Sequence, residues 1–222
     1  MDTPSASKKE MRTLTADELG ILLKAAEGNP YYLLIYTAVS SGLRQGELLA
    51  LCWRDLDLPL VSISVSRSLS KRHRVCTFKE PKTTKSRRKV RMTPKLKAYL
   101  ASYRADREAF CRQLENPLTL DDLVFVTPEG NPIDPGVLSH AFHKLVKQAG
   151  LEGVRFHDLR HSFASIMLKR GAKPKVISEA LGHASVAFTM DVYCDSMDGM
   201  QEEAMGILDK VMPEGVPAAI SA

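Results

Sequence analysis

Arg44, His157, Arg160, His183 and Tyr193 are the residues of this chain whose types could do chemistry together. Four of them sit in short polar boxes: Ser41-Gly42-Leu43-Arg44-Gln45-Gly46-Glu47-Leu48, His157-Asp158-Leu159-Arg160-His161 and Leu181-Gly182-His183. Tyr193 follows ten residues after the last of them. The set suits attack on a phosphodiester. That reaction needs an in-line nucleophile, neutralised phosphate oxygens and a proton for the departing oxygen. A phenol is an apt nucleophile, because a free pKa of about 10 makes it a better leaving group than a sugar hydroxyl and lets the covalent step reverse. Arginine's planar fork donates to two neighbouring phosphate oxygens and never loses its charge. Histidine titrates near physiological pH and can accept or donate the proton.

His157 and Arg160 stand at i and i+3, so a helix there would aim both at one phosphate. His161 is at i+4 from His157, which is half of a zinc motif, but no Glu follows the first His and no third ligand is near. No metal and no other cofactor are expected, and His161 is expected to pack behind the site. Arg44 and Glu47 are also i and i+3, a spacing that allows the carboxylate to orient the guanidinium. Glu47 is left outside the reacting set.

The elements that must carry these boxes are legible in outline. Thr15-Ala16-Asp17-Glu18 reads as a capping box opening a helix that Gly28 ends. Asn29-Pro30 is expected to start a second helix, apolar nearly all round from Leu33 to Val39 and therefore buried. Ser40-Ser41-Gly42 breaks it, and Arg44 to Leu51 is expected to form a short third helix. Val61, Ile63 and Val65 alternate with Ser62, Ser64 and Ser66, a strand pattern. Val75–Phe78 and Arg87–Met92 are expected as second and third strands, with a turn at Lys71–Arg74. Helical periodicity returns at Pro94–Leu114, Gly136–Ala149, His157–Arg170, Pro174–Leu181, Val186–Val192 and Gly199–Met212, with a mostly loop segment at Pro117–Pro135 holding a short strand at Leu123–Val126. The fold class expected is α+β, mainly α-helical, with a small three-stranded antiparallel sheet; strands do not alternate with helices as in a doubly wound sheet. Residues 1–12 are expected to be a linker or leader, 13–198 the functional domain, 199–212 a C-terminal helix and 213–222 a flexible tail.

The charge pattern restricts the partner. Between Arg67 and Arg91 lie eleven cations, among them Arg72, Arg74, Lys79, Lys82, Lys85, Arg87 and Arg88, against Glu80 alone. That segment carries +10 in a chain whose net charge is +5, so the remainder is mildly acidic. A basic strip on such a body reads as a docking face for a polyanion. Arg72, Arg74, Lys79, Lys85, Arg87 and Arg88 are the candidate DNA contacts. No run of 18 apolar residues predicts a membrane span, and Met1 to Met11 lack the apolar core of a secretory signal. The four cysteines show no paired spacing, so reduced thiols and a cytoplasmic location are expected.

These boxes, in this order and spacing, resemble the catalytic domain of the tyrosine recombinase (phage integrase) family from about Leu14 to Leu208. The family's first arginine falls on Arg44, its hairpin lysine on Lys82 in Pro81-Lys82-Thr83-Thr84-Lys85-Ser86-Arg87-Arg88, its histidine and second arginine on His157 and Arg160, its third-box histidine on His183 and its nucleophile on Tyr193. The resemblance implies DNA strand cleavage by Tyr193, giving a 3′-phosphotyrosyl link and a free 5′-hydroxyl, then rejoining to a partner strand without metal or ATP. It implies that Lys82 protonates the departing 5′ oxygen, with Lys79 and Lys85 within three residues on the same hairpin. It implies that His183 donates to a non-bridging phosphate oxygen. The apolar stripe Met200, Ala204, Met205, Ile207, Leu208, Val211 and Met212 would dock on a neighbouring protomer, giving a homo-tetramer on double-stranded DNA and a monomer without it. A type IB topoisomerase-like nicking-closing enzyme and a non-catalytic DNA-binding relative are the alternatives. The family's usual N-terminal DNA-binding domain is more than residues 1–12 can supply, so weak, salt-dependent DNA binding is expected of this chain alone. The His183–Tyr193 spacing leans towards integrases of mobile elements.

Overall fold

A computed structural model describes residues 12–72, 75–79, 87–183 and 185–187. Helix α1, Ala16–Ala25, opens on the expected capping box: the Glu18 amide donates to Thr15 Oγ1 and the Thr15 amide to Glu18 Oε2, at 3.2 and 2.8 Å. Helix α2, Tyr32–Ser41, begins later than its sequence suggests. Asn29 Oδ1 accepts from the Tyr31 amide at 2.9 Å, and this turn holds Pro30 ahead of the helix instead of within it. Leu34, Ile35, Thr37, Ala38 and Ser41 of α2 are buried. The hydroxyls of Thr37 and Ser41 donate back to the Leu33 and Thr37 carbonyls, so neither is left unpaired inside the core.

The extended segment differs from the expected single sheet. A three-stranded antiparallel sheet is present, in the order β1 (Leu56–Asp57), β2 (Ser62–Val65) and β5 (Arg88–Arg91). The strand at Val75–Lys79 (β4) does not join it, and pairs with β3 (Ser68–Arg72) as a separate ribbon. The alternation at 61–66 locates β2 but cannot specify its partner. Ile63 faces Val90 and Val65 faces Arg88 across the β2–β5 ladder, which puts the inward set of β5 at Arg88 and Val90.

Five more α-helices lie in the described residues: the short α3 (Gln45–Leu48), α4 (Pro94–Gln113), α5 (Pro135–Gln148), α6 (Asp158–Lys169) and α7 (Pro174–Leu181). The expected strand at Leu123–Val126 is reduced to isolated bridges, Cys52 with Leu123 and Val126 with Pro132. Trp53, Leu96, Leu138, Phe142 and Leu159 are among the side chains closing one continuous core between α2, α4, α5 and α6. The entering chain is fastened to α6: the buried Leu14 amide donates to Ser162 Oγ at 2.8 Å, and Ser162 Oγ donates to the Asp158 carbonyl. Among the described residues, no helix is long and apolar enough to cross a membrane. The helices expected at Val186–Val192 and Gly199–Met212, and the tail at 213–222, lie wholly or mostly outside the described residues.

Candidate functional site

The first box is set by the end of α2. Gly42 caps that helix with φ +64, a left-handed turn that suits glycine. Its missing side chain also matters, because a Cβ there would fall 2.6 Å from the Phe163 ring of α6. The turn hands the chain to Arg44, which is the residue before α3 and not its first turn as expected. The Arg44 amide and Nη1 donate to Glu47 Oε2 and Oε1 at 2.8 and 2.9 Å. The Arg44 side chain stays 43% exposed while Glu47 is buried.

The second box lies at the start of α6. Asp158 is fully buried and anchors the turn, accepting from the Arg155 amide and guanidinium at 2.8 to 3.1 Å. His157 precedes the first helical residue and keeps an exposed edge. Arg160, one turn in, is 3% exposed. Its Nη1 donates to the Gly42 carbonyl at 2.8 Å and its Nη2 to the Leu181 carbonyl at 2.6 Å. One guanidinium therefore ties the Arg44 turn to the end of α7, across 118 and 21 residues of sequence.

The third box is that helix end. Gly182 caps α7 with φ +67, and the Gly182 and His183 amides donate back to the Glu179 and Ser178 carbonyls at 3.1 and 3.0 Å. His183 is thus delivered beside Arg160 by a tight, hydrogen-bonded turn.

The histidines report the electrostatics of the cluster. Burial, then the charges of Arg160 and Arg44, push His183 down to about 4. Burial, then the charge of Arg160, lowers His157 as well, with Asp158 opposing and Arg44 adding to the effect. The same two guanidiniums act on both rings, so Arg44, Arg160, His157 and His183 share one electrostatic neighbourhood. His161 stacks edge-on behind His157 with ring centroids 4.9 Å apart, and burial pushes it down to about 4. All three shifts favour the neutral imidazole. No group of three or more His, Cys, Asp or Glu side chains is disposed to hold a metal among the described residues.

Glu47 pairs with Arg44 as its spacing allows, and Arg88 is the second partner that the sequence did not reveal. Burial alone would raise the Glu47 carboxyl; hydrogen bonds and charge from Arg88, then the amide and charge of Arg44, outweigh this and hold it down to about 2. Arg88 was expected on the DNA-facing strip, and here the structure differs. Its side chain is 6% exposed and points into the domain, where Nη1 and Nη2 grip Glu47 Oε1 and Oε2 at 3.0 and 2.8 Å. The signal was available: Arg88 has the same strand parity as Val90, the buried residue of β5.

Of the other strip residues, Lys79 and Arg87 line an open cleft of about 590 Å³ together with Arg54, Arg67 and Phe78. The Arg67 guanidinium lies over the Phe78 ring at 5.3 Å. Arg72 ends β3. Arg74, Lys82, Lys85 and Tyr193 lie outside the described residues.

Fold and site together define a mainly helical α+β domain in which Arg44, His157, Arg160 and His183 share one neighbourhood. The sequence model of the phage integrase family matches residues 12–200, and the chain belongs to that family. It is 29% identical to a tyrosine recombinase XerC-like protein of Caldanaerobacter subterraneus subsp. tengcongensis, over 90% of this chain and 54% of that protein. It is 31% identical to the ICEBs1 integrase of Bacillus subtilis, over 79% of this chain and 47% of that protein. The chain thus spans about half the length of these curated relatives. Among solved structures it resembles the XerA recombinase, with a TM-score of 0.69 and 27% identity over 87% of this chain and 65% of that one. The Tn1549 transposon integrase, solved with circular intermediate DNA, shares the fold with a TM-score of 0.74 at 23% identity, over 89% of this chain and 67% of that one.

Proposed function

We propose that this chain is the catalytic domain of a site-specific DNA recombinase acting on double-stranded DNA. The observation that carries the reading is Arg160, held between the Gly42 and Leu181 carbonyls so that three boxes distant in sequence meet at one anion-receiving point. Arg44 and Arg160 neutralise the scissile phosphate. His157, whose pKa is lowered by burial and by Arg160, accepts the phenolic proton of Tyr193, whose oxygen forms the new bond to phosphorus as the bond to the 5′ oxygen breaks. His183, lowered in the same way, donates an N–H to a non-bridging oxygen. Lys82 gives a proton to the departing 5′ oxygen. The phosphotyrosyl link keeps the energy of the broken bond, so a 5′-hydroxyl from a second strand can reverse the step and exchange partners. The active assembly is a tetramer on DNA joined through residues 199–212, and the free chain is a monomer. The XerA and Tn1549 relatives support the class of reaction.

A covalent trap tests this. The chain is mixed with supercoiled plasmid in EDTA, quenched with detergent and assayed for protein-linked DNA beside Tyr193→Phe. An EDTA-resistant adduct that is absent in Tyr193→Phe is expected. An adduct that persists in Tyr193→Phe would refute the assignment of the nucleophile, and a requirement for divalent metal would refute the mechanism.

A further inference from the structure

We propose that Arg88 is a positioning residue of this active site: it fixes the Arg44 guanidinium through Glu47 and fixes the end of α7 that presents His183. The inference rests on the reading of the site given above.

The geometry is a cross-brace. Each Glu47 oxygen is shared by the two arginines. Oε1 accepts from Arg88 Nη1 at 3.0 Å and Arg44 Nη1 at 2.9 Å; Oε2 accepts from Arg88 Nη2 and the Arg44 amide, both at 2.8 Å. The third Arg88 donor, Nε, reaches the Ala180 carbonyl at 2.7 Å. The next carbonyl, Leu181, accepts from Arg160. The last turn of α7 is therefore held by two arginines from two different elements.

The arms of the brace differ in rigidity. Arg88 is anchored in β5, whose backbone pairs with β2 in the core sheet. Glu47 belongs to α3, a helix of four residues, and Arg44 is partly exposed. Without Arg88, the Glu47 carboxylate would follow Arg44 towards water, and the guanidinium would lose its fixed reference. Gly182 belongs to the same device: a Cβ there would come within 3.0 Å of Arg88 Cδ and Nη1. Lysine cannot replace the arginine, since one ammonium cannot span both carboxylate oxygens and a carbonyl in the same plane.

The experiment separates positioning from mere support of the fold. Arg88→Lys, Arg88→Met, Glu47→Gln and the double variant Glu47→Gln/Arg88→Met are compared for thermal midpoint, plasmid affinity and rate of adduct formation, with Tyr193→Phe as the blank. Arg88→Lys that is folded by circular dichroism should bind plasmid within ~3-fold of the unaltered chain and form adduct ~10- to 100-fold more slowly, the range expected when a reacting group is misplaced by about 1 Å. Arg88→Met leaves a buried carboxylate short of a partner, and neutralising it in the double variant should restore the thermal midpoint but not the adduct rate. Recovery of rate together with midpoint in the double variant would reduce Arg88 to a structural residue and overturn the proposal, as would a full adduct rate in Arg88→Lys. An unaltered chain that forms no adduct would instead sink the reading of the site, and this proposal with it.

Discussion

Replacing Gly182 by alanine tests whether the Leu-Gly-His turn is shaped by its backbone alone or also by Arg88. Gly182 has φ +67. An L-residue in that region costs about 1–2 kcal/mol. Gly150 follows α5 with φ +70, and a Cβ there would meet nothing within 4 Å, so Gly150→Ala measures the backbone cost by itself. At Gly182 the new Cβ would also stand 3.0 Å from Arg88 Cδ and Nη1 and 3.2 Å from Cζ. An arginine with a free end would swing away. Arg88 is pinned at all three donors, so the crowding adds an overpacking cost of about 1–3 kcal/mol. Mid-range values give about 1.5 kcal/mol for Gly150→Ala and about 3.5 kcal/mol for Gly182→Ala. For a domain of this size each kcal/mol lowers Tm by about 2–4 °C, so the expected drops are about 4 °C and about 10 °C. Thermal unfolding by calorimetry reads both. Placing Gly182→Ala in an Arg88→Met background should bring its cost down to that of Gly150→Ala, because the crowding partner is gone. Equal drops for the two glycine variants in the unaltered background would refute the argument that Arg88 is held rigidly against this turn.

Two further outcomes follow from the charges. His161 and His183 titrate at about 4 when folded against 6.5 when free, so the unfolded chain binds more protons between those values and stability falls as pH drops from 6.5 to 4. Glu47, at about 2 against 4.5, adds a second loss between pH 4.5 and 2; urea titrations across the range should show both, and His161→Gln should flatten the first. DNA affinity of this chain should fall steeply with salt, and Arg87→Ala should reduce the log–log slope by about 1, as expected for one lost phosphate contact. Arg88→Lys should leave that slope unchanged, because Arg88 is not on the surface; a reduced slope for Arg88→Lys would contradict its interior placement.

Elements that announce themselves locally were legible. The Thr15 capping box, the Gly42 and Gly182 helix stops and the start of α7 at Pro174 all rest on interactions within a few residues, and each stands where the sequence places it. Pairing was not legible, because alternation in 61–66 fixes which residues face inward but not which strand lies alongside. Hence Val75–Lys79 went to a ribbon with Ser68–Arg72, and the third strand of the sheet came from Leu56–Asp57. Arg44, His157, Arg160 and His183 were read from their motifs, and the fold brings them into one neighbourhood. Arg88 was misplaced because charge was read without parity: in a run of eleven cations, the one in step with Val90 turns inward.

Charge, after burial, helps to lower the site's histidines. Among the described residues, Arg44 and Arg88 share the carboxylate of Glu47, and backbone dipoles hold the guanidiniums as well. The carbonyls of Gly42, Ala180 and Leu181, at the negative ends of α2 and α7, accept from Arg160 and Arg88. Carbonyls stabilise a buried guanidinium without cancelling its charge. After burial, the arginine charge lowers His157 and His183, and the same charge would attract a phosphate. An arriving phosphodiester anion would offset that part of the depression, so both rings would bind protons more readily at the moment a proton must move. Further carboxylates at the arginines would have offset it already and left less charge for the phosphate to meet.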